Sequence, residues 1–316
     1  MQVYKDNMEK YKGIDFSSVH NVMIRNFDGC VMHMDDPYYE VRRIDEGTWQ
    51  ILSDGDFFYL LDGGEEGMCI DTGYGCGNVR RFCEDLLGKP VRTVANSHDH
   101  WDHVCNNSYF DLAYMSPLCH ETILAGNVMP SFGDVQFPRD YPVQTVEAGD
   151  VIPLKGRELE VFAFADHALS SRCYLDRKHR IFFMGDELSD WSKGLRNITV
   201  AEFAKQMETM WALEEYYDIC CSGTQIFHKS YVLGYLLNAR HILSGAPGKP
   251  VPEFSPKRPG KAGQVYDEQG RILYIRRGHR FPDSAKGRKR EATDRVEKLL
   301  SEFAGTRIIY APDKIY

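Results

Sequence analysis

Short hydrophobic segments separated by turn residues predict a meander of strands in the first third of the chain. The turns are indicated by Asp45-Glu46-Gly47 and Asp62-Gly63-Gly64, which combine acidic residues with glycine. Antiparallel hairpins show this alternation of strand and tight turn. The amphipathic stretch 78–87 then predicts a helix, and the β-branched stretch 91–96 predicts a strand after it. The expected strands of the meander are 39–44, 48–52, 57–61 and 68–70.

Helical and strand-like patterns are mixed through the rest of the chain. Thr199 and Glu202 have the spacing of a capping box at the start of a helix. A hairpin is expected over 263–276. The other expected helices and strands are helices 117–125, 199–216, 230–243 and 295–303, and strands 113–115, 143–146, 151–154, 159–164, 173–175, 181–184, 217–221 and 307–310. This mixture favours sheets covered by helices.

Residues 97–103 interrupt this pattern with a dense group of polar side chains directly after the strand 91–96. The group contains His98, His100, Asp102 and His103. In an extended segment His98 and His100 project to one side, and Asp102 continues that alternation. His103 breaks the alternation and can point to a neighbouring place. Because imidazole and carboxylate groups suit zinc and iron, one short loop can supply ligands to two adjacent metal ions.

The spacing His98-x-His100-x-Asp102-His103 after a strand resembles the signature of the metallo-β-lactamase superfamily. The resemblance covers roughly residues 40 to 245. It implies an α+β fold, an αββα sandwich of two mixed β-sheets flanked by helices. The expected organisation is an N-terminal arm or helix at 1–36, a catalytic domain at 37–245 and a C-terminal extension at 246–316. The extension is expected to pack on the domain or to form a dimer contact.

The resemblance implies further ligands in the second half of the chain. His167 follows a strand and resembles the family's third histidine ligand, although Asp166 stands where the family often has glycine. Asp186 follows an apolar strand and resembles the aspartate that bridges two ions. The family usually takes its last histidine from the turn after the strand 217–221, where this chain has Thr224. Either His228, four residues later, is that ligand, or the second site lacks a histidine.

The implied centre holds two divalent metal ions, expected to be zinc with iron or manganese as alternatives. Asp102 is also expected to orient or accept a proton as a catalytic residue. Asp71, in the turn Asp71-Thr72-Gly73, is implied to orient a ligand without binding metal, and a turn without a chemical role is the alternative. The first ion is assigned to His98, His100 and His167, the second to Asp102, His103 and His228, and the bridge to Asp186.

This ligand set implies a hydrolase that uses a metal-bridging hydroxide to cleave an ester, thioester, lactone or amide bond of a small molecule. A phosphodiesterase with the same site is one alternative. A di-iron oxidoreductase is another, although such members usually have glutamate where this chain has His100. A binding module without activity is the third. Aromatic side chains are expected to line the substrate pocket, namely Tyr74, Trp101, Phe132 and Phe137.

Charge and cysteine content narrow the expected partners. The 316-residue chain has 38 Lys and Arg against 46 Asp and Glu, which gives a net charge of −8. A nucleic-acid partner would need a basic surface, so this charge argues against one. The nine cysteines are odd in number and scattered, without a CxxC pair. No apolar run resembles a signal peptide or a membrane span. We therefore expect a cytoplasmic protein with a small-molecule substrate and no membrane partner.

Overall fold

A computed structural model describes most of the chain as two compact units. Unit 1 contains the described residues up to Val146, together with Leu154–Gly156, 262–266 and 272–277. Unit 2 contains Glu147–Pro153, 157–251 and the described residues from 298 onward. The expected N-terminal arm lies outside the described residues apart from two short strands. The described residues are 23–25, 31–33, 39–53, 56–73, 78–126, 140–251, 262–266, 272–277 and 298–316.

Strands and helices are numbered here in chain order. The strands are β1 Met23–Arg25, β2 Val31–His33, β3 Glu40–Asp45, β4 Thr48–Ser53, β5 Asp56–Asp62, β6 Gly67–Ile70, β7 Val91–Ala95, β8 Leu112–Met115, β9 Val143–Thr145, β10 Val151–Leu154, β11 Arg157–Phe162, β12 Cys173–Asp176, β13 Ile181–Gly185, β14 Ser192–Gly194, β15 Ile219–Ser222, β16 Ile226–His228, β17 Lys249–Pro250, β18 Ala262–Tyr266, β19 Ile272–Arg277, β20 Leu299–Phe303 and β21 Thr306–Tyr310. The helices are α1 Val79–Leu87, α2 Trp101–Val104, α3 Pro117–Ala125, α4 Val200–Trp211 and α5 Ser230–Leu243. Within the described part of the chain, no helix is long and apolar enough to cross a membrane.

Unit 1 is built on a seven-stranded mixed sheet of order β3-β4-β5-β6-β7-β8-β9. The meander β3 to β6 is antiparallel, as its turn residues predict, and β6 to β9 pair in parallel. Asn78 caps the start of helix α1, where its side chain accepts a hydrogen bond from Arg81 N–H, and Gly88 caps the end in the left-handed region. Its buried face joins the core around Phe58 and Val94. The strands β1, β2, β18 and β19 form a separate four-stranded sheet.

Unit 2 is built on a six-stranded sheet of order β10-β11-β12-β13-β15-β16. The sheet is mixed, because β13 and β15 pair in parallel while β11, β12 and β13 pair antiparallel. Helices α4 and α5 pack with the sheet in one core that includes Phe182, Phe203 and Tyr235. The strands β14, β21, β20 and β17 form a second, four-stranded sheet. The expected α+β fold with mixed sheets and flanking helices is confirmed.

The expected helix at 295–303 is wrong. Residues 299–303 form β20, which pairs with β21 in a hairpin that joins Phe303 to Thr306. The two connecting residues, Ala304 and Gly305, have φ of 49° and 76°, as type I′ hairpin turns require. A short apolar run has the same appearance in a helix and in a strand, so the partner strand decides its structure. The expected hairpin at 263–276 is present as β18 and β19.

Thr199 supports the start of α4, and its replacement by alanine is expected to lower the free energy of unfolding by about 1 kcal/mol. The Thr199 Oγ1 accepts the Glu202 N–H at 3.1 Å, and the Glu202 carboxylate accepts the Thr199 N–H at 2.8 Å. Equilibrium urea unfolding measures the difference. Thr209→Ala in the last turn of the same helix is the matched control, because its hydroxyl donates to the Lys205 carbonyl within the helix and caps no backbone N–H group. Equal losses in both variants would show that the capping box contributes nothing of its own.

Candidate metal centre

The polar loop predicted from the sequence connects β7 to α2 in unit 1. His98 and His103 are buried, and His100 and Asp102 are half-buried. The ring centroids of His98 and His100 lie 4.4 Å apart, and those of His98 and His103 lie 4.2 Å apart. The short helix α2 turns the chain after His100, so the three imidazoles converge although they are not evenly spaced in sequence. The structure therefore brings together all four residues expected from this loop.

Asp71 connects two of these histidines through its carboxylate. Its Oδ2 lies 2.9 Å from Nδ1 of His103 and accepts a 2.7 Å hydrogen bond from the Ser97 hydroxyl. Its Oδ1 accepts the Ser97 backbone N–H at 2.7 Å. The Ser97 Oγ in turn lies 3.0 Å from Nδ1 of His98. Asp71 thus has the contacts that its expected role requires, because it holds His103 directly and His98 through Ser97.

These hydrogen bonds determine where the two imidazoles carry their protons. A carboxylate only accepts, so His103 donates from Nδ1 to Asp71. The Ser97 hydroxyl has a single proton, which it donates to Asp71, so His98 donates from Nδ1 to Ser97. In a neutral imidazole the other nitrogen then carries the lone pair. Both histidines therefore offer Nε2 as the possible ligand atom, which is the tautomer that divalent metal ions need, and the donor set fits such ions.

Buried amides hold this loop in place, and the sequence-based analysis did not predict them as functional residues. The His103 carbonyl accepts hydrogen bonds from Thr72 Oγ1 at 3.1 Å and from Asn96 Nδ2 at 3.0 Å. Asn96 and Asn107 exchange two amide hydrogen bonds, of 3.0 and 2.8 Å. Asn106 Nδ2 donates to the Thr72 carbonyl at 3.0 Å. The sequence offered one signal for them, namely that Asn96 directly precedes the loop and that Asn106 and Asn107 follow His103 closely. Buried polar groups at such positions need partners.

Unit 1 contains one further carboxylate beside this loop. Asp56, the first residue of β5, is 3% exposed. One ligand atom from each of Asp56, Asp102 and His103 lies within 4.8 Å of the others. Asp56 was not among the expected site residues, because in the sequence it reads as part of the turn between two strands. Its position depends on how that turn packs.

Unit 2 contains the two other expected ligands that the structure brings together. His167 Nε2 lies 3.5 Å from Asp186 Oδ2, and both side chains are half-buried. Asp186 directly follows β13, whose last residue, Gly185, has a φ of 50° that permits the chain to turn there. His167 and Asp186 line a cavity of about 210 Å³ together with Thr224, Lys193 and Arg196.

Buried charges position the His167 segment. The Glu187 carboxylate accepts the backbone N–H groups of Asp166, His167 and Ala168 at 2.8–3.3 Å. Lys193 Nζ lies 2.7 Å from Asp166 and 3.4 Å from Glu187, so the two carboxylates share one cation. Burial raises the pKa of Asp166. Lys193 and the backbone N–H groups of Arg196 and Asn197 together lower it by more, so the pKa of Asp166 lies below its usual value. Asp166 therefore takes a structural role in this loop.

The structure does not place His228 beside Asp186. Its backbone pairs with Ile219 at the start of β15, whereas Asp186 follows the end of β13, which pairs with Ser222 at the end of β15. Three residues of strand separate these ends, about 10 Å. The His228 side chain is exposed, and its Nδ1 lies 2.9 Å from the Ser230 hydroxyl. This placement does not support His228 as a ligand, and it leaves Thr224 at the position where the family usually has histidine.

The expected pocket residues are mostly not described. Tyr74, Phe132 and Phe137 lie outside the described residues. Trp101 begins α2 and is half-buried against the core of unit 1. The predictions for these four aromatic residues therefore stay predictions.

Comparison with known proteins agrees with the site geometry. A family model described as the metallo-beta-lactamase superfamily matches residues 56–218, which is just over half of the chain. The chain belongs to the metallo-β-lactamase superfamily. Among curated relatives, the human protein named acyl-coenzyme A thioesterase MBLAC2 is 28% identical over 164 residues. The match covers 42% of this chain and 58% of that protein, so the chain spans little more than half of this superfamily relative.

Solved structures show the same fold. Rubredoxin oxygen:oxidoreductase from Desulfovibrio gigas superimposes with a TM-score of 0.51 at 14% identity, covering 64% of this chain and 62% of that chain. A metallo-β-lactamase from Erythrobacter litoralis gives a TM-score of 0.51 at 15% identity, covering 65% of this chain and 98% of that chain. At such identities the likeness is one of fold alone.

Proposed function

We propose that this chain is a metal-dependent hydrolase that uses two divalent ions to cleave an ester-type bond of a small molecule. The observation that carries the proposal is the hydrogen-bonded path from Asp71 to both His103 and His98, which selects Nε2 of each imidazole for metal. A solvated histidine-rich loop has no need of buried histidines held in one tautomer by a shared carboxylate. The order of the motifs along the chain assigns His167 and Asp186 to the same centre as part of this proposal.

Each residue of the proposed centre has a definable task. The residues of the centre would hold two divalent ions, which would supply Lewis-acid chemistry for hydrolysis at neutral pH. His98, His100 and His103 hold the ions by neutral nitrogen, and Asp71 keeps the protons of His98 and His103 at Nδ1. Asp102 holds metal and accepts a proton during the reaction. The arrangement needs no serine or cysteine nucleophile.

Thioesters are the first substrate class that we propose. The human relative is named an acyl-coenzyme A thioesterase, and its match covers 42% of this chain and 58% of that protein. The cavity that contains His167 and Asp186 also presents Lys193 and the exposed Arg196. Lys193 is already paired with Asp166 and Glu187, so Arg196 is the cation that faces a substrate. An anionic group on the substrate, such as the phosphates of an acyl-coenzyme A, complements it.

Metal removal tests the hydrolase proposal. Treatment with a chelator is expected to lower kcat/KM for an acyl-coenzyme A thioester by at least about 10³-fold, because metal ions supply several kcal/mol of transition-state stabilisation. Addition of zinc, iron(II) or manganese(II) is expected to restore the rate. The assay panel also contains a matched oxygen ester, a lactone, an amide and a phosphodiester.

The outcomes of this panel separate the competing functions. Turnover of the phosphodiester alone would favour the phosphodiesterase, and two reducible iron ions without hydrolysis would favour the di-iron oxidoreductase. Metal binding without any activity would favour a binding module. A chain that takes up no metal after reconstitution would contradict the hydrolase, the phosphodiesterase and the di-iron oxidoreductase alike.

A further inference from the structure

We propose that Asp56 is a ligand of the second metal ion, together with Asp102 and His103, and replaces the histidine that the family usually supplies from the turn after β15. The inference rests on the proposed function, since it concerns the same metal centre. It differs from the ligand set expected from the motifs, which used His228 for this ion. In that expected set, no ligand of the second ion precedes Asp102 in the chain.

The fold holds Asp56 beside the turn that carries Asp71. Asp56 pairs with Ser53 across the end of the β4–β5 hairpin. The turn Asp71-Thr72-Gly73 packs tightly on this end, because a Cβ added to Gly73 would lie 2.5 Å from both Cβ and Oγ of Ser53. Gly73 also has a φ of 68°, which favours glycine. The start of β5 and the Asp71 turn are therefore held in close contact.

The donor atoms around Asp56 have the composition of a divalent-metal site. Two carboxylates and one imidazole offer ligand atoms within 4.8 Å of one another, at positions where Asp56 and His103 are buried. Asp71 occupies Nδ1 of His103, so Nε2 is the nitrogen that this imidazole offers. Two carboxylates this close to each other repel when both are charged, and a divalent cation between them offsets the repulsion.

The β15–β16 hairpin gives a reason why the second ion needs a ligand from elsewhere in the chain. Among the described residues of the β15–β16 hairpin, His228 is exposed at the end that lies away from Asp186. Thr224 stands at the family's usual histidine position, and a neutral hydroxyl is a poor substitute for imidazole. With an oxygen ligand from Asp56, the second ion has as many charged or nitrogen donors as in family members that have histidine at the position of Thr224. It also favours iron or manganese more than an imidazole does.

Metal content of Asp56→Asn tests the inference directly. The wild-type chain is expected to bind about two ions, and the variant is expected to retain about one, or to bind the second at least about 100-fold more weakly. Asp62→Asn, at the other end of the same strand, is the matched control, because its carboxylate pairs with Lys89 and lies outside the donor group. Metal is measured by elemental analysis after equilibrium dialysis, and folding by circular dichroism.

A second variant keeps the inference testable if Asp56→Asn is poorly folded. Asp56→Cys loaded with cobalt(II) is expected to show a thiolate-to-cobalt charge-transfer band in the near ultraviolet, because a coordinating thiol is deprotonated. Wild-type protein and Asp62→Cys give the background from the native cysteines. The band is present only if residue 56 touches the ion.

The results separate this inference from the function on which it rests. Two ions in wild type, one in Asp56→Asn and two in Asp62→Asn would support Asp56 as a ligand. Two ions in both wild type and Asp56→Asn, with equal affinity and no cobalt–thiolate band, would overturn the inference and leave the hydrolase proposal intact. A single ion in wild type would also overturn it. A wild-type chain without metal would remove both.

Discussion

Asp71→Asn is expected to lower the affinity for metal by about 10–100-fold, because it reverses the proton position on His103. An asparagine can still accept the Ser97 backbone N–H through Oδ1. Its Nδ2 group then faces the Ser97 hydroxyl and Nδ1 of His103, and an amide nitrogen only donates. His103 must accept at Nδ1, so its proton moves to Nε2, the nitrogen needed for metal. Competition with a chromophoric chelator measures the affinity.

The backbone makes this substitution a clean test. Asp71 has a φ of 61°, a conformation that asparagine adopts as readily as aspartate. The fold is therefore expected to survive, and circular dichroism checks it. Asp111→Asn is the control, since this exposed carboxylate of unit 1 pairs with Arg80. Unchanged metal affinity in a folded Asp71→Asn variant would show that Asp71 does not set the tautomer of either histidine.

Arg157→Met is expected to lower the free energy of unfolding by about 3–5 kcal/mol. Arg157 begins β11 and pairs with Asp176 at the end of β12, and both side chains are fully buried. Asp176 also accepts the His179 backbone N–H at 3.0 Å. Without Arg157 the buried Asp176 carboxylate loses the cation with which it pairs, and the folded state must bear its desolvation. Urea unfolding measures the loss.

Two further variants identify the origin of this loss. In Arg157→Met/Asp176→Asn the charge is absent while the acceptor for His179 remains, so most of the stability is expected to return. Arg180→Met removes an arginine from an ion pair with Asp218 that is about half exposed on both sides, and it is expected to cost less than about 1 kcal/mol. A loss for Arg157→Met as small as that for Arg180→Met would mean that burial adds nothing to this pair.

Asp71 has a wider role than the motif implied. One carboxylate holds two imidazoles, one directly and one through the Ser97 hydroxyl, and the Ser97 backbone N–H holds the carboxylate itself. Because the hydrogen bonds of both imidazoles depend on the Asp71 carboxylate, directly or through Ser97, the two histidines are expected to lose their metal-binding tautomers together. The same turn packs against the start of β5, and so the positions of Asp71 and Asp56 depend on each other.

The amino-acid sequence by itself determined the features that depend on neighbouring residues. The loop 97–103 could be recognised because its candidate ligands, from His98 to His103, lie within six consecutive residues. The cap at Thr199 was predictable for the same reason, since its side chain bonds to a backbone group three residues away. The meander β3 to β6 followed from its turn residues.

Only the tertiary structure decided the features that depend on a distant partner. Strand register carries His228 away from Asp186, although the sequence predicted His228 as a ligand of the second ion. Residues 299–303 are a strand because β21 pairs with them. Asp56 joins Asp102 and His103 because a hairpin end packs on the Asp71 turn. Local patterns record the propensity of a segment, whereas these positions follow from which segments pair and pack.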